Sequence, residues 1–108
     1  MLVDFFDAVF VSQHYLCEDE TLIIDLELWN SKPAKIVFEG VIGFRIFNND
    51  IPQGLNYETI PSQFFHDTLS SLFKTIPLQH EYKCYEIIDI CDLPFIKVVA
   101  RKYNYFSE

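Results

Sequence analysis

At 108 residues the chain is long enough for one hydrophobic core and too short for two, so a single domain over residues 1–108 is expected. Half of the residues are hydrophobic and 17% are aromatic, which excludes a disordered chain. The net charge of -8 argues against a nucleic-acid ligand, whose phosphates are neutralised by Lys and Arg, and favours basic partners instead.

In chain order, the apolar stretch from Phe5 to Leu16 is rich in β-branched and aromatic residues and reads as a strand. Cys17-Glu-Asp-Glu-Thr21 is a short polar turn, and Leu22 to Trp29 follows as a second strand. There Leu22, Ile24, Leu26 and Leu28 alternate with Ile23, Asp25, Glu27 and Trp29, so one face belongs to a core and the other carries charge. After the turn Asn30-Ser-Lys-Pro-Ala34, Lys35 to Phe47 reads as a third strand with Ile36, Phe38, Ile42, Phe44 and Ile46 on one face; Gly40 and Gly43 predict a bulge or sharp bend in it. Asn48 to Gly54 concentrates turn formers and ends that strand, and Leu55 to Ile60 is a loop or short extended piece.

One helix is expected between Ser62, its N-cap, and Pro77, which stops it, with Lys74 in its last turn. Phe65, Leu69, Leu72, Phe73 and Ile76 recur at helical spacing and form its apolar face. Tyr82 to Cys91 and Phe95 to Tyr103 are two more strands, a hairpin about the turn Asp92-Leu-Pro94. The sum is an α+β fold: a largely antiparallel five-stranded sheet, built from an N-terminal three-strand meander and a C-terminal hairpin, with one helix packed on it.

Catalytic and metal motifs do not stand out. His14, His66 and His80 have neither HxH nor HxxxH spacing, and no cysteine stands near them in a zinc pattern; a site built from His66, Asp67 and a distant serine has no support in the spacing. Glu18-Asp19-Glu20 lacks the spaced carboxylates of a calcium loop, and the three glycines are too scattered for a phosphate cradle. Cys17, Cys84 and Cys91, an odd number without a CxxC pair, fit free and inert thiols in a reducing compartment. The opening residues carry acid where a secretory signal carries base, and no apolar run is long enough to span a membrane, so a cytoplasmic protein without catalytic residues, cofactor or metal is expected.

Charge is the most informative pattern. Residues 1–31 hold seven acids and no Lys or Arg, whereas residues 93–108 hold three bases and one acid, so the acidity gathers on the first hairpin. Glu18, Asp19, Glu20, Asp25 and Glu27 together with Trp29 are the expected partner-binding residues: carboxylates steer a cationic protein and an aromatic side chain anchors it. The opposing reading is a solvated face that keeps the protein soluble.

Phe5-Phe-Asp-Ala8, the two strands after it and Phe38-Glu-Gly-Val-Ile-Gly-Phe-Arg45 resemble, over about the first 47 residues, small acidic immunity proteins of bacterial contact-dependent inhibition and related polymorphic toxin systems. That resemblance implies a protein that binds a toxin domain of its own lineage, often a basic nuclease, and blocks its active site or substrate surface. It assigns no functional residue. Two other classes stay open: a small-molecule binding domain or minor enzyme with a pocket between Phe65, Leu69 and Phe73 and the third strand, and a phage-type acidic inhibitor that mimics nucleic acid. Self-association through a sheet edge is equally open.

Overall fold

The computed structural model describes residues 2–5, 7–48 and 50–107. Alternating inward residues build the expected meander from β2 (Val9–Leu16), β3 (Thr21–Glu27) and β4 (Pro33–Glu39). All three are antiparallel, with Leu22 opposite Phe38, Ile24 opposite Ile36 and Leu26 opposite Ala34 on the buried side. The C-terminal hairpin is β7 (Lys83–Ile88) with β8 (Pro94–Ala100). Its turn is closed by Asp89, whose Oδ1 accepts the backbone N–H of Cys91 at 2.8 Å and of Leu93 at 3.0 Å. Backbone N–H groups of Leu93 and Cys91 hold that carboxyl below its ordinary range, against the effect of burial.

Mixed α+β architecture, antiparallel pairing and one helix are all present, but the single five-stranded sheet is not. The described residues form nine strands in two sheets. The first has the order β1-β6-β7-β8-β5, adding β1 (Val3–Asp4), β5 (Gly43–Ile46) and β6 (Gly54–Tyr57); the second has the order β2-β3-β4-β9, adding β9 (Lys102–Ser107). The physical reason is that two of the expected strands each leave one sheet and continue in the other. Lys35 to Phe47 divides at Gly40–Ile42, where Gly40 takes φ +67 and a Cβ would run into the Arg101 side chain. Phe95 to Tyr103 divides at Arg101 directly alongside, and the corner stays bonded through Arg101 N–H to Glu39 O at 3.0 Å and Ile42 N–H to Val99 O at 2.9 Å. A third crossing precedes β2, where Asp7 turns with φ 47 and only Val9 onward joins the second sheet. Leu55 to Ile60, expected as loop or short extended chain, supplies β6 between β1 and β7.

The core lies between the sheets. Leu22, Ile24, Leu26, Ile36 and Phe38 face Leu55, Tyr85, Ile87, Ile96 and Val98, all buried, with Phe38 and Tyr85 ring centroids 5.6 Å apart. Each fully buried aliphatic or Phe side chain here contributes about 1.5–3 kcal/mol. α1 (Gln63–Leu72) covers the outer side of the first sheet, burying Phe65 and Leu69 against Cys84 and Val99. Ser62 caps it as expected, its Oγ accepting the Phe65 N–H at 3.2 Å. The helix is shorter than the periodicity implies: Phe73 is already extended at φ -107, ψ 128, so Lys74 lies beyond the last turn. Leu72 is left 47% exposed instead of joining the apolar face, while Phe73 and Ile76 reach the same cluster from the segment that follows.

Candidate functional site

β3 is central in the second sheet, so its outward side chains are aligned with those of its neighbours. One row across four strands is Ser12, Asp25, Lys35 and Phe106; the next is His14, Ile23, Val37 and Asn104. No described helix lies on this face. A groove of about 610 Å³ runs over it, with Val11, Ser12, Asp25, Glu27, Lys35 and Phe106 in its walls.

Two of the expected partner-binding residues, Asp25 and Glu27, come together in this groove. Asp25 accepts a hydrogen bond from Ser12 Oγ at 3.1 Å and lies 3.6 Å from His14 Nε2. This is a serine, a histidine and an aspartate in contact, yet not a nucleophile relay. Ser12 Oγ, 3.4 Å from His14, meets the same Nε2 that faces Asp25, and its proton is directed to the carboxylate. A relay needs the serine and the acid on opposite ring nitrogens.

The other four candidates lie elsewhere. Glu18 and Asp19 belong to a 3-10 turn (Cys17–Asp19) closed by Glu20 at φ 50, all three exposed at the start of β3. Trp29 does not sit on the strand face: β3 ends at Glu27, and Trp29 lies in the turn closed by Leu28 and Lys32, 69% exposed. The acidic turn and the tryptophan thus stand beyond opposite ends of β3, whose seven residues span roughly 20 Å at strand rise. The strip is also not purely acidic, since Lys35 faces Asp25 and Lys102 pairs with Glu39 at 3.3 Å.

A second ionisable cluster escaped the sequence reading. Glu86 on β7 and Lys97 on β8 are direct cross-strand partners on the outer side of the first sheet, 3.6 Å apart, and Glu58 reaches Lys97 Nζ at 2.7 Å. Glu58 Oε1 also accepts the Ser62 N–H at 3.0 Å and the Ser62 hydroxyl at 2.9 Å, which ties the ion pair to the helix cap. The Glu58 side chain is only 5% exposed and that of Lys97 13%. Burial works to raise the Glu58 carboxyl but is outweighed by hydrogen bonds from Lys97 and Ser62, which hold it below its ordinary value. Burial lifts Glu86 above that value against the pull of Lys97, and the two carboxylates outweigh burial to raise Lys97. One signal was available: Glu86 and Lys97 stand equally far on either side of Cys91-Asp92, so a hairpin there places them opposite each other. Nothing local announces Glu58.

Burial, helped by Glu58, pushes the Cys84 thiol up, so it is no thiolate nucleophile. His66 and Asp67 lie exposed on α1, Nδ1 3.8 Å from Oδ1, with Asp67 bonded by Gln63. His80 packs among Phe65, Phe73 and Tyr82. Among the described residues no three His, Cys, Asp or Glu side chains converge as metal ligands, and no helix is long and apolar enough to cross a membrane. The space between α1 and the third expected strand is filled: a Cβ on Gly43 would stand 2.7 Å from Thr68 Cγ2. Comparison with family models, with curated proteins and with solved structures found no match.

Proposed function

We propose that this chain is a cytoplasmic, stoichiometric inhibitor of the immunity-protein type, which binds a basic toxin domain of its own lineage and covers its active site or substrate surface. It acts by occupancy, without catalysis of its own. The observation that carries this reading is the open outer face of the second sheet, where Asp25 and Glu27 line one groove and acidic Glu18–Glu20 and exposed Trp29 stand at either end of β3. Carboxylates on such a face steer a cationic partner, and an exposed aromatic side chain supplies contact area.

The test is co-expression with the reading frame immediately upstream, with a tag on this chain only and a moderate-salt wash. A basic fragment retained one to one is the expected result, with the Asp25→Lys, Glu27→Lys double variant associating more slowly and with less dependence on salt. A soluble, expressed upstream product that washes away from the wild-type chain would overturn the proposal.

A further inference from the structure

A sheet edge is a row of unpaired N–H and C=O groups, and proteins protect it by making it short, charged or bulged. Three of the four edges among the described strands follow that practice. β1 has two residues, β5 has four and carries Arg45, and β9 opens with Lys102. β2 does not. Its eight residues, Val9-Phe-Val-Ser-Gln-His-Tyr-Leu16, include no Asp, Glu, Lys or Arg, and no described strand pairs with its outer side. Val9, Val11, Tyr15 and Leu16 are each at least 40% exposed. A bulge between Phe10 and Ser12 is its one protection.

Grooves open on both sides of this edge. On the outer face is the one holding Asp25 and Glu27; on the other, a groove of about 420 Å³ lies between Val9, Phe10, Val11 and the loop residues Asp50 and Ile51. The bulged Val11 borders both. An edge strand with a groove on each side is how a sheet accepts an added strand: main-chain hydrogen bonds supply affinity, and alternate side chains fill alternate sites.

We infer that β2 is the docking edge for an extended segment of the basic partner, one that alternates cationic and apolar side chains and pairs with β2 as a fifth strand of the second sheet. The inference rests on the proposed function only in taking the partner to be basic. An added strand lies about 10 Å from β3, within reach of a lysine or arginine approaching Asp25 and Glu27 but not of a short side chain. Its other face meets Phe10 and Ile51. A second copy of this chain is the wrong occupant. Antiparallel pairing of two β2 strands would bring Asp7, just before one strand, toward Glu18, Asp19 and Glu20, just beyond the other, and like charges facing across strands are unfavourable.

The whole chain is titrated with three synthetic peptides: one alternating Lys and Val, its block isomer of identical composition, and one alternating Glu and Val. Amide hydrogen exchange is read residue by residue. The expected result is binding of the alternating Lys/Val peptide alone, with exchange slowed at alternate amides of β2 and unchanged in β9. Val11→Lys and Asp25→Lys each weaken that binding roughly tenfold. Leu78→Lys, the same charge gain as Val11→Lys at a fully exposed loop position bordering neither groove, leaves it within about twofold.

Equal binding of the block isomer, protection outside β2, or Leu78→Lys matching Val11→Lys would each overturn the inference. So would β2 protection that grows with protein concentration alone, which would make the occupant a second copy. If an upstream basic protein is retained while β2 exchange stays unchanged, the docking edge fails and the inhibitor reading survives. The alternating peptide bound at β2 with no basic protein retained would reverse that outcome.

Discussion

On the first sheet the row Asn56, Glu86, Lys97 and Arg45 runs across four strands beside the start of α1; on the second the row Ser12, Asp25, Lys35 and Phe106 crosses four strands under no described helix. Both rows set an acid directly opposite a lysine. On the covered side the pair gains a third member, Glu58, and through it the cap of α1, so the charges are structural. On the open side Asp25 bonds Ser12 instead, and groove-lining charge stays available to another molecule. The same cross-strand chemistry is thus tied into the helix cap in one place and left open in the other, and burial decides which.

The largest expected effect tests that contrast directly. Lys97→Met leaves Glu58 and Glu86 without their cation and destabilises the fold by about 3–5 kcal/mol in urea titration. Lys35→Met, at the matching place on the open face, costs less than about 0.5 kcal/mol. Similar losses at both positions would break the comparison.

Volume gives a smaller effect. Gly43→Ala sets a Cβ against Thr68 and costs about 1–3 kcal/mol. Adding Thr68→Ala removes the atom it meets and recovers about 0.5 kcal/mol or more, a coupling read from the double-mutant cycle. Strict additivity would mean that α1 is not seated on Gly43.

Proton linkage is the finest probe. Glu58 is held below its ordinary value of 4.5, so its stabilisation is present above pH 4.5 and is lost as pH falls through the lowered value. Glu86 is raised above 4.5, so its contribution has the opposite sign: it is complete below 4.5 and lost as pH rises through the raised value. Lys97 is raised above 10.5, and its contribution persists until pH passes that raised value. Against wild type, Glu58→Gln therefore loses less stability on acidification below pH 4.5. Glu86→Gln lacks the gain that wild type makes while approaching 4.5 from neutral pH. Urea midpoints across acid pH check both, and coincident profiles for the two variants would contradict the assigned signs.

Much of the local structure was legible in the residues. The alternation in Leu22 to Glu27 was enough to orient β3, because one face of a sheet strand must be apolar when a core lies on that side alone. Ser62 marked the helix start because its hydroxyl satisfies a free N–H whatever the tertiary context. The helix end was misplaced because Phe73 and Ile76 serve the same cluster from extended chain, and spacing does not distinguish a helical turn from a segment that folds back. Of the site, Asp25 and Glu27 were legible as outward charge, whereas Trp29 was assigned to a strand face when it belongs to the turn.

The amino-acid sequence by itself determined the meander, the C-terminal hairpin, the helix start and the acidic character of the first 31 residues, all carried by neighbours in the chain. Only the tertiary structure decided that Gly40–Ile42 and Arg101 hand two strands from one sheet to the other, that β6 exists, and that Glu58 meets Lys97 across 39 positions. It also decided which outer face α1 covers. Period-two alternation says that a side chain points away from the core, and says nothing of whether a helix, solvent or a partner awaits it there.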